Sequence, residues 1–173
     1  TGTGSVGGLI GDNRTSVNNS YSTGDVKGSI EVGGLLGSNS DPVSQSYSTG
    51  SVTGDSKVGG LIGQNIYAAI ENCYTTSNVT RTSGATAGTF GGFIGSNGND
   101  RLSMTTPGGD ISYSYSTGDV VYDGTTDPTD KGFVGASIST PTYTANFFDS
   151  DASKQSMAAG ATGKTTSELQ KVE

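Results

Sequence analysis

Apolar residues along this chain gather in two short clusters that alternate and recur. The first reads Val-Gly-Gly-Leu-Ile-Gly at residues 6–11 and returns, with small changes, at 32–37, 58–63 and 90–95. It fades to Lys131-Gly132-Phe133-Val134-Gly135. The second reads Tyr-Ser-Thr-Gly-Asp-Val at 21–26, returns at 47–52, 74–79 and 115–120, and fades to Asn146-Phe147-Phe148-Asp149. Neither cluster is long enough for a helix, and paired glycines would cost a helix about 1 kcal/mol each. Val, Ile, Tyr and Thr favour strands, and the Gly, Asn, Asp and Ser between them favour turns. Each repeat therefore reads as a short strand, a turn and a second short strand. One such unit cannot bury its own apolar face, whereas stacked copies can. The pattern predicts an all-β fold: a parallel β-solenoid (β-helix) of about five coils with a short C-terminal cap. Helix is expected to be under about a tenth of the chain and to lie after residue 165.

The second glycine of the first cluster falls at 8, 34, 60, 92 and 132, and the aromatic of the second at 21, 47, 74, 115 and 147. The two series stay interleaved. Extra length falls in connections, at 81–89 and 98–112. A single domain over 1–173 follows, with repeats at about 6–31, 32–57, 58–89, 90–130 and 131–152 and a cap at 153–173. Residues 101–109 and 123–130 read as protruding loops. Thr166-Ser167-Glu168-Leu169 offers a Thr or Ser N-cap for a short helix.

Stacking puts like on like. Leu9, Leu35, Leu61, Phe93 and Phe133 should form one internal column, and Tyr21, Tyr47, Tyr74, Tyr115 and Phe147 an aromatic one. Ile10, Leu36, Ile62, Ile94 and Val134 should flank the first, and Val26, Val52, Val79 and Val120 form a further column. On this reading Leu61→Ala costs about 2–5 kcal/mol and Ser48→Ala, on an exposed face, under about 0.5 kcal/mol. Asn13, Asn39, Asn65 and Asn97 follow the motif's last glycine by two and suit a left-handed turn or a bond to the next coil. The glycines either supply positive φ at corners or let coils approach closely.

These residues resemble the GLUG-motif repeats of bacterial surface proteins, which read roughly Gly-Gly-Leu-hydrophobic-Gly, a spacer, then Ser-Tyr-Ser-Thr-Gly and a valine. Such repeats occur in adhesin-like proteins and in non-catalytic parts of some immunoglobulin A proteases. The tail from Asn146 through Leu169 looks like the segment that closes such arrays. The resemblance implies cell-surface display and adhesion, and carries over no catalytic residues.

Charge narrows the partners. A net charge of −7 and a pI near 4.3 disfavour nucleic acid and anionic membrane surfaces. No apolar run is long enough to span a bilayer. The chain opens at Thr1 inside a repeat with no signal peptide, and reads as a mature or excised piece. With so little before Val6, Leu9 and Ile10, the first coil is expected to continue upstream or to dock on another subunit, most simply head to tail. Cys73 stands alone, in the place of Ser20, Ser46 and Ser114, and reads as a small side chain in a tight slot.

The absence of histidine removes a Ser-His-Asp triad and the usual zinc sites. Carboxylate chemistry stays open, since β-helices host polysaccharide lyases and glycosidases; Asp25 and Asp119 share one place in the repeat, which more simply marks a turn. Asp149 and Asp151, with Asp123, Asp127 and Asp130, are calcium candidates by ligand type, but the calcium-binding nonapeptide spacing is missing. Regular Thr-x-Thr rows for ice binding are missing too. Ser22, Ser48 and Ser116, with Thr23, Thr49 and Thr117, could present hydroxyls to a glycan or protein. The leading expectation is a non-enzymatic, secreted or cell-surface module without cofactor. It would act as an adhesin stalk or display repeat and meet a host or neighbouring-cell surface protein or glycan. A filament subunit polymerising end to end and a carbohydrate-active β-helix enzyme are the alternatives.

Overall fold

Each regular coil folds as five short strands joined by corners, and every strand pairs in parallel with its counterpart one coil away. The structure is a computed structural model and describes residues 2–82, 89–98, 107–124 and 128–171. Strand and bridge residues make up 47% of the described residues and helix 5%, so the parallel solenoid is the architecture. In coil two the strands are Ile30–Gly33, Leu36–Asn39, Val43–Ser44, Tyr47–Ser48 and Val52–Gly54. Stacking them over coils makes five sheets, here I to V in that order.

The columns pair in the order that the repeat spacing predicts. Ile10, Leu36, Ile62 and Ile94 align in sheet II. Tyr21, Tyr47, Tyr74, Tyr115 and Phe147 align in sheet IV, and Val26, Val52, Val79 and Val120 in sheet V. Sheet III, with Val17, Val43, Ile70, Ile111 and Tyr143, was hidden in what reads as a connection. Its two-residue strands are too short to show an alternating pattern.

The interior is two compartments. Sheets II, III and IV enclose Leu35, Leu36, Leu61, Ile62, Ile70, Phe93, Ile94, Phe133 and Phe148. Sheets I and V enclose a separate group of Val32, Val52, Val58, Val79, Phe90 and Val120. Sheets I and II run back to back between them, and glycine makes this possible. A Cβ on Gly33 would overlap the Leu36 carbonyl oxygen and come within 2.7 Å of the Gly63 nitrogen. Neither residue has positive φ, so close approach is the reason for glycine here. One set of left-handed corners falls on non-glycine residues, Asn19, Gln45, Asn72, Tyr113 and Ala145, between sheets III and IV, and among the described glycines Gly98 and Gly160 have positive φ.

Three expectations need correction. First, Leu9 is 47% exposed, because the first coil has no described coil before it, whereas Leu35, Leu61, Phe93 and Phe133 are fully buried. Second, the tyrosine column is not core: Tyr21 and Tyr115 are exposed, and Tyr47, Tyr74 and Phe147 half-buried. The residues after them, Ser22, Ser48, Thr75, Ser116 and Phe148, point inward. Third, the four asparagines lie buried at strand ends and make no left-handed turn, while the expected bond to the next coil is present. Asn13 Nδ2 donates to Asn39 Oδ1 at 2.7 Å, Asn39 to Asn65 at 2.8 Å and Asn65 to Asn97 at 2.9 Å.

The far end is covered. Helix α1 (Ser150–Ser153) follows Asp149, whose side chain accepts from the Asp151 and Ala152 amides. The chain then crosses coil five, with antiparallel bridges from Lys131 to Ala158 and Val134 to Ala159. Thr162–Lys164 adds a last strand to sheet IV, and helix α2 (Thr166–Leu169) ends the described chain. Its N-cap is Thr165, one residue before the predicted stretch, in a capping box with Glu168. Helix α1, which begins at residue 150, was not expected.

These placements set a stability prediction. Leu61→Ala should still cost about 2–5 kcal/mol. Ser48→Ala should now cost about 1–2 kcal/mol rather than under about 0.5 kcal/mol. Ser48 is fully buried, its Oγ donates to the Gly60 carbonyl at 2.7 Å, and it lies 2.9 Å from Thr75 Oγ1. Urea titration of the two variants checks both values; an unchanged midpoint for Ser48→Ala would contradict the inward assignment.

Candidate functional site

The outer face of sheet IV carries the most regular chemistry. Tyr rings 21, 47, 74 and 115 stack with centroids 5.2, 4.7 and 5.1 Å apart and planes within 7°. In-register strands about 4.8 Å apart impose that spacing. Inside the stack each ring face is covered by its neighbours, so the middle rings offer solvent their edges and hydroxyls. Burial, with the adjacent tyrosine second, raises the Tyr74 and Tyr115 phenols above their ordinary value. Beside the rings runs a row of threonines, Thr23, Thr49, Thr76 and Thr117, three of them exposed. The hydroxyl face expected from the sequence is thus half present. The threonines are outside, and Ser22, Ser48 and Ser116 are inside.

At the C-terminal end of the stack lies a cleft of about 460 Å³ lined by Thr76, Tyr115, Thr117, Phe147 and Leu169. Phe147 follows Tyr115 in backbone register. Among the described residues, however, the stacked run stops at Tyr115. Leu169 belongs to helix α2, so the cap supplies one wall. The sequence marks Tyr115 and Phe147 as repeat aromatics but holds no sign that Leu169 reaches them.

A second, polar groove of about 480 Å³ opens between the outer ends of sheets I and II, where Asp12, Glu31, Asp41, Gln64 and Tyr67 line it. Glu31 and Lys57 are buried there, one period apart, with Lys57 Nζ 3.8 Å from Glu31 Oε1. Ser5 Oγ donates to Glu31 Oε2 at 2.5 Å, and Arg14 pairs with Asp12 at 2.9 Å. Opposite charges one repeat apart were the legible signal for this pair.

Most of the carboxylates singled out by sequence are engaged structurally. Asp25 Oδ1 accepts from the Ser51 hydroxyl at 2.7 Å and its amide at 2.9 Å, which holds the carboxyl below its ordinary value. Asp119 pairs with Lys154 at 2.7 Å. Three inter-coil steps separate Asp25 from Asp119, about 14 Å at strand spacing, beyond the separation of about 5–10 Å at which two carboxylates cleave a glycoside. Asp149 is buried as the α1 cap and also accepts from Thr166 Oγ1 at 2.8 Å. Asp151 accepts from the Thr166 amide, Asp130 pairs with Lys131, and Asp123 is exposed at a strand end. Asp127 lies outside the described residues. Among the described residues, no group of three or more His, Cys, Asp or Glu is placed to hold a metal ion. Cys73 is buried, and burial pushes its thiol up to about 11, which leaves it protonated at neutral pH.

Residues 54–80 and 86–121 match the family model of the GLUG motif. These two adjacent units are GLUG repeats. Each runs to the valine of sheet V, Val79 in one and Val120 in the next. No curated protein and no solved structure matches the chain. The GLUG motif is a repeat module found in extracellular and surface proteins. Among the described residues no helix is long and apolar enough to cross a membrane.

Proposed function

We propose that this GLUG array is a non-enzymatic display module, secreted or held on a bacterial cell surface, that presents its lateral faces to a protein or glycan of a host or neighbouring cell. The observation that carries this reading is the in-register stacking of each coil on the next. A regular coil uses 26 residues and advances only about 4.8 Å. That is a poor way to gain reach, where an extended chain advances about 3.3 Å per residue. It is an effective way to build broad, rigid faces on which one side chain repeats at strand spacing. Display therefore fits better than a stalk. Head-to-tail polymerisation is the weaker reading, because residues 150–164 lie over the far end and a second copy would meet that cap.

The test is adhesion. Beads coated with the folded chain should bind epithelial or bacterial cells saturably, and free chain should compete. Polysaccharide panels incubated with it should show no new reducing ends. Beads that bind no better than albumin-coated controls, or turnover that disappears in Asp119→Asn, would overturn the proposal.

A further inference from the structure

The tyrosine stack has two ends, and they differ. At the first coil, Tyr21 is 59% exposed. At the other end Tyr115 is 39% exposed, more than the half-buried Tyr47 and Tyr74 between them, and it lines a bounded cleft. The next residue in register, Phe147, lines that cleft without extending the stack. The cleft thus lies against the last ring of the stack. Its walls are Tyr115, Phe147 and Leu169, and its edges carry the hydroxyl-bearing side chains of Thr76 and Thr117.

We propose that this cleft binds a pyranose ring of a glycan. A pyranose has one face of C–H groups and a rim of hydroxyls. The face suits an aromatic ring and a leucine, and the rim suits two threonine hydroxyls and the Tyr115 phenol, which can donate and accept. Among the described residues no charged one lines the cleft, which favours a neutral sugar over a charged one. Its volume of about 460 Å³ lies within the usual range for a small-ligand site. A peptide aromatic would use the apolar walls but leave the hydroxyl rim idle. The middle of the stack cannot serve in the same way, because its ring faces are covered. The inference rests on the display reading and gives it a ligand class and a place.

The experiment is an NMR titration of the whole chain with methyl pyranosides of glucose, galactose, mannose and N-acetylglucosamine, and with short oligosaccharides of each. At least one should give saturable shifts centred on Thr76, Tyr115, Thr117, Phe147 and Leu169. Affinity in the millimolar range is expected for so small a contact. Leu169→Arg, which fills the cleft from the helix side and leaves the stack intact, should abolish the shifts. Tyr115→Phe should bind within about threefold of the parent and Tyr115→Ala at least tenfold more weakly. Tyr21→Ala, at the other end, should leave binding unchanged. No saturable shift from any sugar, or shifts that survive Leu169→Arg, would overturn the assignment. So would saturation by indole or a tyrosine peptide with none by a sugar. Cell adhesion that persists in Leu169→Arg would remove the cleft and leave the display reading standing. Loss of all adhesion by the parent chain would remove the display reading itself.

Discussion

Gly60→Ala should cost about 4 kcal/mol or more, among the largest effects a single methyl group can have in this chain. The added Cβ would overlap the Gly92 carbonyl oxygen of the next coil and press on the Thr75 methyl at 2.9 Å. Backbone cannot move aside there without breaking the ladder, since Gly34 N donates to Gly60 O at 3.1 Å. A matched pair supplies the control. Gly24 and Gly50 occupy the same place in successive coils, but a Cβ on Gly24 meets nothing within 4 Å, whereas on Gly50 it overlaps the Gly24 carbonyl. Gly24→Ala should therefore fall within about 0.5 kcal/mol of the parent and Gly50→Ala should be clearly destabilised. Thermal and urea unfolding of the three variants decides it; equal stability for Gly24→Ala and Gly50→Ala would mean that coils are not this close.

Asn65→Ala should cost about 3 kcal/mol, because it removes three buried hydrogen bonds and leaves unpaired partners. Asn65 Nδ2 donates to Asn97 Oδ1 at 2.9 Å and to the Ala68 carbonyl at 2.8 Å, while its Oδ1 accepts from Asn39 at 2.8 Å. Alanine leaves Asn39 Nδ2 without an acceptor, and leaves Asn97 Oδ1 with only the Gly109 amide at 3.1 Å, in a buried site. Asn13→Ala, at the end of the ladder, should cost only about 1 kcal/mol. In a repeat array a central defect uncouples the coils on either side of it, whereas a terminal one does not. Urea midpoints at constant slope measure the difference. An Asn65→Ala loss no greater than that of Asn13→Ala would show that the ladder does not tie the coils together.

The sequence by itself determined the stacking direction, the register and the identity of most columns. The reason is translational. A parallel coil places residue i over its counterpart one repeat on, so a period found in the chain is a contact in space, as for Leu36 with Ile62 and Tyr47 with Tyr74. Which way a side chain faces was not legible in the same way. Tyr47–Ser48 is a two-residue strand, too short for alternation to declare a buried side, and size alone favours burying the tyrosine. The tertiary structure buries Ser48 instead, because the inward slot faces the Gly34 and Gly60 backbone at the turns between sheets I and II and has room for a hydroxyl but not a ring. Likewise the division into two compartments comes from glycine-to-backbone contact between sheets I and II, and the cleft at Tyr115 from a helix more than fifty residues further along. Translation along the axis is written in the period, but the shape of one coil's cross-section depends on contacts between strands whose sequences do not resemble each other.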